Sequence, residues 1–264
     1  MDLGTDKMLA KVEGGIARLT FNNPEKRNAV SMEMWQAAEK AVTAFAADPS
    51  VRVLVLDGAG GKAFVSGADI SKFESERQGE EAVAAYQAQT KRVYDAIASF
   101  PKPTIAQIEG FCIGGGTALA VCCDMRICEE GSNFGVPAAK LGLGYPIEGI
   151  RRLVDIVGIS FAKEVFYTAR RFTAAEAASM GLVNRVVPKA ELAAYVADYA
   201  ATIAGNAPLT IAAVKFIANE AVKDRGAADE ATCDTMVKAC FASADYVEGR
   251  KAFLEKRAPN FQGK

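Results

Sequence analysis

Histidine is absent from this chain of 264 residues. That excludes a Ser-His-Asp triad, a Cys-His dyad, imidazole-ligated zinc and any imidazole acid or base. A catalyst here has to be built from carboxylates, tyrosine, cysteine, lysine or backbone amides. The cysteines at 112, 122, 123, 128, 233 and 240 contain no CxxC pair. A zinc ribbon or a thioredoxin-like site is therefore not expected, and no metal site is read. Most of them flank apolar residues, as in Val121-Cys122-Cys123. They read as buried free thiols, which fits a reducing, cytoplasmic compartment. An excess of charge is missing too. Lys plus Arg is 31 and Asp plus Glu is 32, for a net charge of −1. This speaks against nucleic-acid binding by bulk charge and against a polybasic membrane anchor. Acidic residues are also interleaved with the basic ones in Lys215–Arg225. The longest apolar stretch, near 110–123, is too short and too rich in glycine to span a membrane. The opening Met1–Lys7 holds no signal-peptide core.

Apolar residues make up 50 % of the chain, enough for a substantial core in one large or two modest domains. Ala17, Leu19 and Phe21 alternate with Arg18 and Thr20 and predict a half-buried strand. Gly14-Gly15 makes Met8–Glu13 its hairpin partner. Ser31 can cap a helix to about Ala47, with Met34, Ala38, Val42 and Phe45 on one face. The apolar run Val53–Leu56 predicts a strand buried on both faces. Gly58 to Gly67 reads as loop. A helix over about Glu80–Ser99, a strand over Thr104–Gly110, a short apolar helix after Gly114-Gly115-Gly116 and a strand over Met125–Cys128 follow. This alternation predicts an α/β fold with crossover units. Beyond Glu148 helices dominate, over 149–157, 160–168, 174–180, 189–205, 208–223, 227–243 and 245–257. One short strand, Leu182–Val187, interrupts them.

Two loops carry the chemical interest. Phe64-Val65-Ser66-Gly67-Ala68-Asp69-Ile70 follows a buried strand, and Gly110-Phe111-Cys112-Ile113-Gly114-Gly115-Gly116 leads from a strand into an apolar helix. Glycine lets a backbone approach a ligand closely. One amide from each loop can converge on a developing oxyanion. Asp69 itself reads as a cap, and Asp124 with Arg126 as a structural ion pair or turn cap. Glu109 reads as solvated or ion-paired.

Taken together, the loops resemble the crotonase (enoyl-CoA hydratase/isomerase) superfamily. So do the Asn22–Ala29 segment, Cys123-Asp124-Met125-Arg126, Phe134-Gly135-Val136-Pro137, Gly181-Leu182-Val183 and Phe253-Leu254-Glu255-Lys256-Arg257. The resemblance implies a crotonase-like spiral of ββα units with a helical C-terminal region. It implies an α/β core over 1–195 and a trimerisation region over 196–264, in a homotrimer or homohexamer. The substrate would be a coenzyme A thioester, with coenzyme A entering as part of the substrate and no resident cofactor. The Ala68 and Gly115 amides would hold the thioester oxygen. Lys26, Arg27, Ala29, Ile70, Phe253 and Lys256 would meet the phosphates and adenine.

The sequence also departs from the family. The hydratases carry one glutamate two residues past the last glycine of the triplet and another directly after the Phe-Gly-x-Pro segment. Here those positions are Ala118 and Ala138. Adding water needs a base for the water and an acid for the α-carbon, and a methyl group is neither. A reaction that needs an oxyanion hole and little else is decarboxylation of a malonyl-type thioester, with Ala118 and Ala138 as apolar lining. Lys140–Ile150 resembles methylmalonyl-CoA decarboxylases, which have a functional tyrosine where Tyr145 stands. Bacterial enzymes of that type can carry a histidine where this chain has Ala68. The expectation is thus an acyl-CoA lyase. The alternatives are an enoyl-CoA hydratase/isomerase using Glu148 or Tyr145, and a non-catalytic acyl-CoA binding subunit.

Overall fold

The computed structural model describes residues 1–72, 79–224 and 226–264, so that Arg225, the end of the charged stretch named above, falls outside it. The strands are β1 (Met8–Glu13), β2 (Ile16–Phe21), β3 (Val53–Gly58), β4 (Ala63–Val65), β5 (Thr104–Ile108), β6 (Phe111–Ile113), β7 (Met125–Glu129), β8 (Asn133–Gly135), β9 (Phe172–Thr173) and β10 (Arg185–Val187). The helices are α1 (Met32–Ala47), α2 (Glu80–Ala98), α3 (Gly115–Ala120), α4 (Ile147–Thr168), α5 (Ala174–Ser179), α6 (Leu192–Ala204), α7 (Pro208–Ala221), α8 (Glu230–Ala242) and α9 (Ala244–Glu255).

The strands form two sheets. A six-stranded sheet runs in the order β1-β2-β3-β5-β7-β10, and a four-stranded one in the order β4-β6-β8-β9. Among the described residues only β1 with β2 and β8 with β9 are antiparallel; the other pairings are parallel. The pairs β3/β4, β5/β6 and β7/β8 each place their first strand in the large sheet and their second in the small one. A helix follows each pair, so the chain advances as repeated ββα turns. The expected α/β class and helical C-terminal region are both present.

The central strands of the large sheet, β3, β5 and β7, are buried on both faces. Leu54 and Leu56 of β3 face the main core with Phe21, Trp35 and Phe64. Val53 and Val55 face the other way, against Ile105, Ile127 and the α6 residues Leu192, Val196 and Ala200. The apolar run of β3 follows from this double burial. On α1, Ser31 accepts a hydrogen bond from the Met34 amide, and Met34, Trp35, Ala38, Val42 and Phe45 are buried. The Trp35 indole donates to the Tyr86 hydroxyl at 2.9 Å.

Several expectations are corrected in detail. The segment from Gly58 to Gly67 is not all loop, because β4 lies within it. The helices read separately at 149–157 and 160–168 do meet at a break, at Gly158, whose φ is +75°, although they run on as one element, α4. The strand expected over Leu182–Val187 is confined to Arg185–Val187. Asp124 and Arg126 are structural but do not pair with each other. Asp124 accepts from the Thr104 amide at 2.7 Å and from Lys215 at 2.8 Å. Arg126 is buried and donates to the carbonyls of Leu182 and Cys123. Glu109 is ion-paired, to Lys189 at 2.9 Å.

Residue 195 lies inside α6, which packs on the large sheet. Among the described residues no single helix is long and apolar enough to cross a membrane, although α6 with its preceding turn and α7 pass that test as a pair bent by 102°.

Candidate functional site

Both interesting loops lie at the ends of strands in the small sheet. The first is reached from β4. Val30, just before α1, bridges to Ala68 in parallel register. The Val30 amide donates to the Gly67 carbonyl at 2.9 Å, and the Asp69 amide donates to the Val30 carbonyl at 3.0 Å. This bridge uses the groups on either side of Ala68 and turns the Ala68 amide away from Val30. Asp69 then caps the turn that follows, accepting from the Ser71 amide and hydroxyl and from Lys26. Burial works to raise its pKa, but the hydrogen bonds from Ser71 and Lys26 outweigh it and hold the carboxyl below the usual range.

The second loop is reached from β6. The Gly114 amide donates to the Gly135 carbonyl at 2.8 Å, and α3 begins at Gly115. A Cβ on Gly116 would lie 2.0 Å from the Val65 carbonyl oxygen, so only glycine lets the first turn of α3 press on β4. The same close approach brings the loops together. A Cβ placed on Gly67, whose φ is +111°, would lie 3.9 Å from the Gly115 nitrogen, and one placed on Gly115 would lie 3.7 Å from the Gly67 Cα. Neither the Ala68 nor the Gly115 amide donates a hydrogen bond among the described residues. Two partnerless donors on touching loops form a frame suited to a carbonyl oxygen that gains negative charge.

Among the described residues, the carboxylates near this frame are engaged or exposed. Ala118 is half-buried on α3, and its carbonyl accepts from the Cys122 thiol at 3.1 Å. Ala138 is buried in the short turn Pro137–Lys140. Tyr145 packs edge-on against Phe166 with centroids 5.0 Å apart, and burial pushes its hydroxyl pKa up. Glu148 sits exposed in the first turn of α4. Asp95 is taken up by Arg152 at 2.6 Å and by Lys91 at 2.5 Å. Burial pushes the Cys122 thiol up to about 12, although Arg152 beside it acts in the opposite direction.

One residue at the site was not singled out from the sequence. Tyr94 on α2 donates its hydroxyl to the Gly115 carbonyl at 3.2 Å. Its ring meets Trp35 edge-on, with centroids 5.5 Å apart. In the sequence it is one more apolar position of an amphipathic helix, and only the tertiary approach of α2 to α3 marks it.

The residues read as coenzyme A contacts are divided. Lys26, Arg27 and Ala29 lie on the segment that the first loop packs against. The Ser66 amide donates to the Arg27 carbonyl at 3.2 Å. Lys26 is engaged by Asp69 at 2.9 Å and Ser71 at 2.6 Å, yet its side chain is 46 % exposed. The Arg27 guanidinium stands 5.2 Å from the Phe111 ring centroid. Ala29 is buried, and Ile70 opens the short helix Ile70–Lys72. Phe253 and Lys256 lie elsewhere, at the end of α9. Phe253 is 84 % exposed, and no described hydrogen bond or ion pair joins either residue to the loops. A cavity of about 530 Å³ opens between α6, α7 and the large sheet, lined by Tyr199, Ile203, Val214 and Lys215. Neither loop contributes to it. No group of three or more His, Cys, Asp or Glu side chains suited to a metal ion occurs among the described residues.

The family described as enoyl-CoA hydratase/isomerase matches residues 11–264. A crotonyl-CoA hydratase of Syntrophomonas wolfei is 38 % identical over 262 residues, covering 98 % of this chain and 99 % of that protein. A short-chain-enoyl-CoA hydratase of Clostridium acetobutylicum is 32 % identical, covering 96 % of each. The crystal structure of an enoyl-CoA hydratase/carnithine racemase from Magnetospirillum magneticum superposes with a TM-score of 0.93 at 37 % identity. It spans 98 % of this chain and 97 % of its own.

Proposed function

The chain belongs to the enoyl-CoA hydratase/isomerase family, and from that premise we propose that it is a lyase that decarboxylates a malonyl-type acyl-CoA thioester. The Ala68 and Gly115 amides hold the thioester oxygen. As the carboxylate leaves as CO₂, its bonding electrons pass into the thioester, and the two amides stabilise the enolate that results. The observation that carries this reading is the pair of partnerless amides with alanine at both 118 and 138. Decarboxylation uses the hole and needs no base. Hydration needs acid and base groups worth about 10²–10⁴-fold each, and alanine supplies neither.

Lys26, Arg27 and Ala29, with the backbone near Ala68 and Ile70, are assigned to coenzyme A, as are Phe253 and Lys256. Coenzyme A enters and leaves with the substrate, and no resident cofactor is invoked. The exposed apolar residues Phe241, Val247, Phe253 and Leu254 on α8 and α9 favour a homotrimer or homohexamer built through the C-terminal helices.

The names of the relatives favour a second reading, an enoyl-CoA hydratase or isomerase that works with Glu148 or Tyr145. One assay with two thioesters separates them. Purified protein is given crotonyl-CoA, read by loss of enoyl absorbance, and methylmalonyl-CoA, read by product mass. CO₂ loss without hydration is the expected result. Rapid hydration overturns the lyase reading. Tight binding of both without turnover marks a non-catalytic acyl-CoA binding subunit.

A further inference from the structure

The enolate reading leaves one need unmet, since the α-carbon must receive a proton and both family carboxylate positions are alanine. Resting on that reading, we propose that the Tyr94 hydroxyl delivers this proton. Four observations converge on it. The hydroxyl lies 3.2 Å from the carbonyl oxygen of Gly115, the residue whose amide forms half of the frame. It also lies 3.4 Å from where a Cβ on Gly115 would stand, so it packs directly against that residue. The ring is fixed by the edge of Trp35, which is itself held through its indole by Tyr86. Among the described residues the nearby carboxylates are engaged or exposed: Asp95, next to it in sequence, is bound to Lys91 and Arg152, and Glu148 is exposed.

The hydroxyl holds its proton firmly. Burial raises the pKa of Tyr94 well above its ordinary value, with Tyr145, Cys122 and Tyr86 adding to the rise and Arg152 opposing it. The hydroxyl is therefore loaded with its proton at neutral pH. Once it has given the proton up, the Arg152 guanidinium is the cation that stabilises the tyrosinate. The step balances. The bond from the α-carbon to the carboxylate breaks, CO₂ leaves and the electron pair resides in the thioester enolate. The Tyr94 O–H bond then breaks as a C–H bond forms at the α-carbon. Water reprotonates the tyrosinate.

Tyr94→Phe keeps the ring against Trp35 and removes only the hydroxyl. Turnover is measured in D₂O with methylmalonyl-CoA and with crotonyl-CoA, both of which pass through an enolate that is protonated at the α-carbon. Folding is followed by circular dichroism, and binding by titration with propionyl-CoA. The wild type is expected to place deuterium in one configuration, read by NMR of the product as an ester of a chiral alcohol. The variant is expected to lose about 10²–10⁴-fold in kcat, to bind propionyl-CoA as before, and to give both configurations in its residual product. A purely structural tyrosine would not change that stereochemistry. Retained kcat with one configuration in Tyr94→Phe overturns the proposal and leaves the enolate reading standing. The same losses in Tyr145→Phe but not in Tyr94→Phe overturn it in favour of Tyr145. Turnover of neither thioester by the wild type overturns the enolate reading and the role of Tyr94 together.

Discussion

The Asn28 side-chain amide donates to the Ala63 carbonyl at 2.7 Å and ties the segment before α1 to the strand that leads into Ala68. The same nitrogen reaches the Ala59 carbonyl at 2.9 Å, and the side-chain oxygen accepts from the Asn23 amide at 2.9 Å. Asn28 is fully buried at a φ of +55°, a region asparagine tolerates better than most residues. Asn28→Ala strands three backbone groups at once. Its expected cost is on the order of 3 kcal/mol, at about 1–3 kcal/mol for a buried unsatisfied group. Urea denaturation checks this as a lower midpoint at an unchanged slope.

Gly115 and Gly116 are adjacent but should answer differently to the same change. Gly116→Ala drives a methyl group to 2.0 Å from the Val65 carbonyl oxygen, where rigid backbone must move. It is expected to destabilise the protein by roughly 3 kcal/mol or more, at the top of the range for overpacking. Gly115→Ala meets nothing closer than the Tyr94 hydroxyl at 3.4 Å and is expected to fold. Thermal melts of the two variants, side by side, test the contrast.

Restoring a carboxylate tests what its absence does. Ala118 is half-buried, whereas Ala138 is buried, so Ala118→Glu is the substitution the fold accepts more easily. It is expected to raise crotonyl-CoA hydration by about 10²-fold or more, the lower end for one acid–base group. An unchanged hydration rate in a folded, thioester-binding variant would count against the two alanines as the cause of lost hydration.

The C-terminal tail is held by a carboxylate with an acid limit. Glu248 binds Arg257 through both oxygens and accepts from the Asn260 amide. Hydrogen bonds from Arg257, then from the Asn260 amide, lower its pKa to about 2. Its unfolded value is near 4.3. The folded pKa is the lower one, so the contribution is present in full above about pH 4.3 and is lost as pH falls through about 2. Glu248→Gln should melt below the wild type at pH 6, and the two melting temperatures should draw together as pH is lowered towards 2.

Much of the large sheet was readable because its strands are long enough to show a pattern. β2 alternates over Ile16–Phe21, and β3 is apolar on both faces because α6 covers one and the main core the other. The small sheet was not readable. β4, β6 and β8 are three residues each and β9 is two, too short for a period-two pattern to appear. They are held by pairing with strands distant in sequence. The break within α4 falls at a single residue, Gly158, between the two helices that the sequence shows on either side of it. At the site, Gly67 and Gly114–Gly116 pointed to close backbone approach, and Ala118 and Ala138 to missing acids. Tyr94 gave no such sign, because it occupies a core-facing position of α2. Only the arrival of α3 gives its hydroxyl a neighbour.

The two partnerless donors on Ala68 and Gly115 belong to the main chain, and every residue type except proline carries the same N–H. Point mutation therefore has almost no handle on them, short of changes that displace the loops, as at Gly116. The positions open to substitution are side chains, at 94, 118, 138 and 145. On the proposed reading, a change there alters where protons come from and leaves the place where charge collects untouched. In such an architecture one reaction can be exchanged for another by single substitutions, with no intermediate stage at which the electrophile's seat is lost.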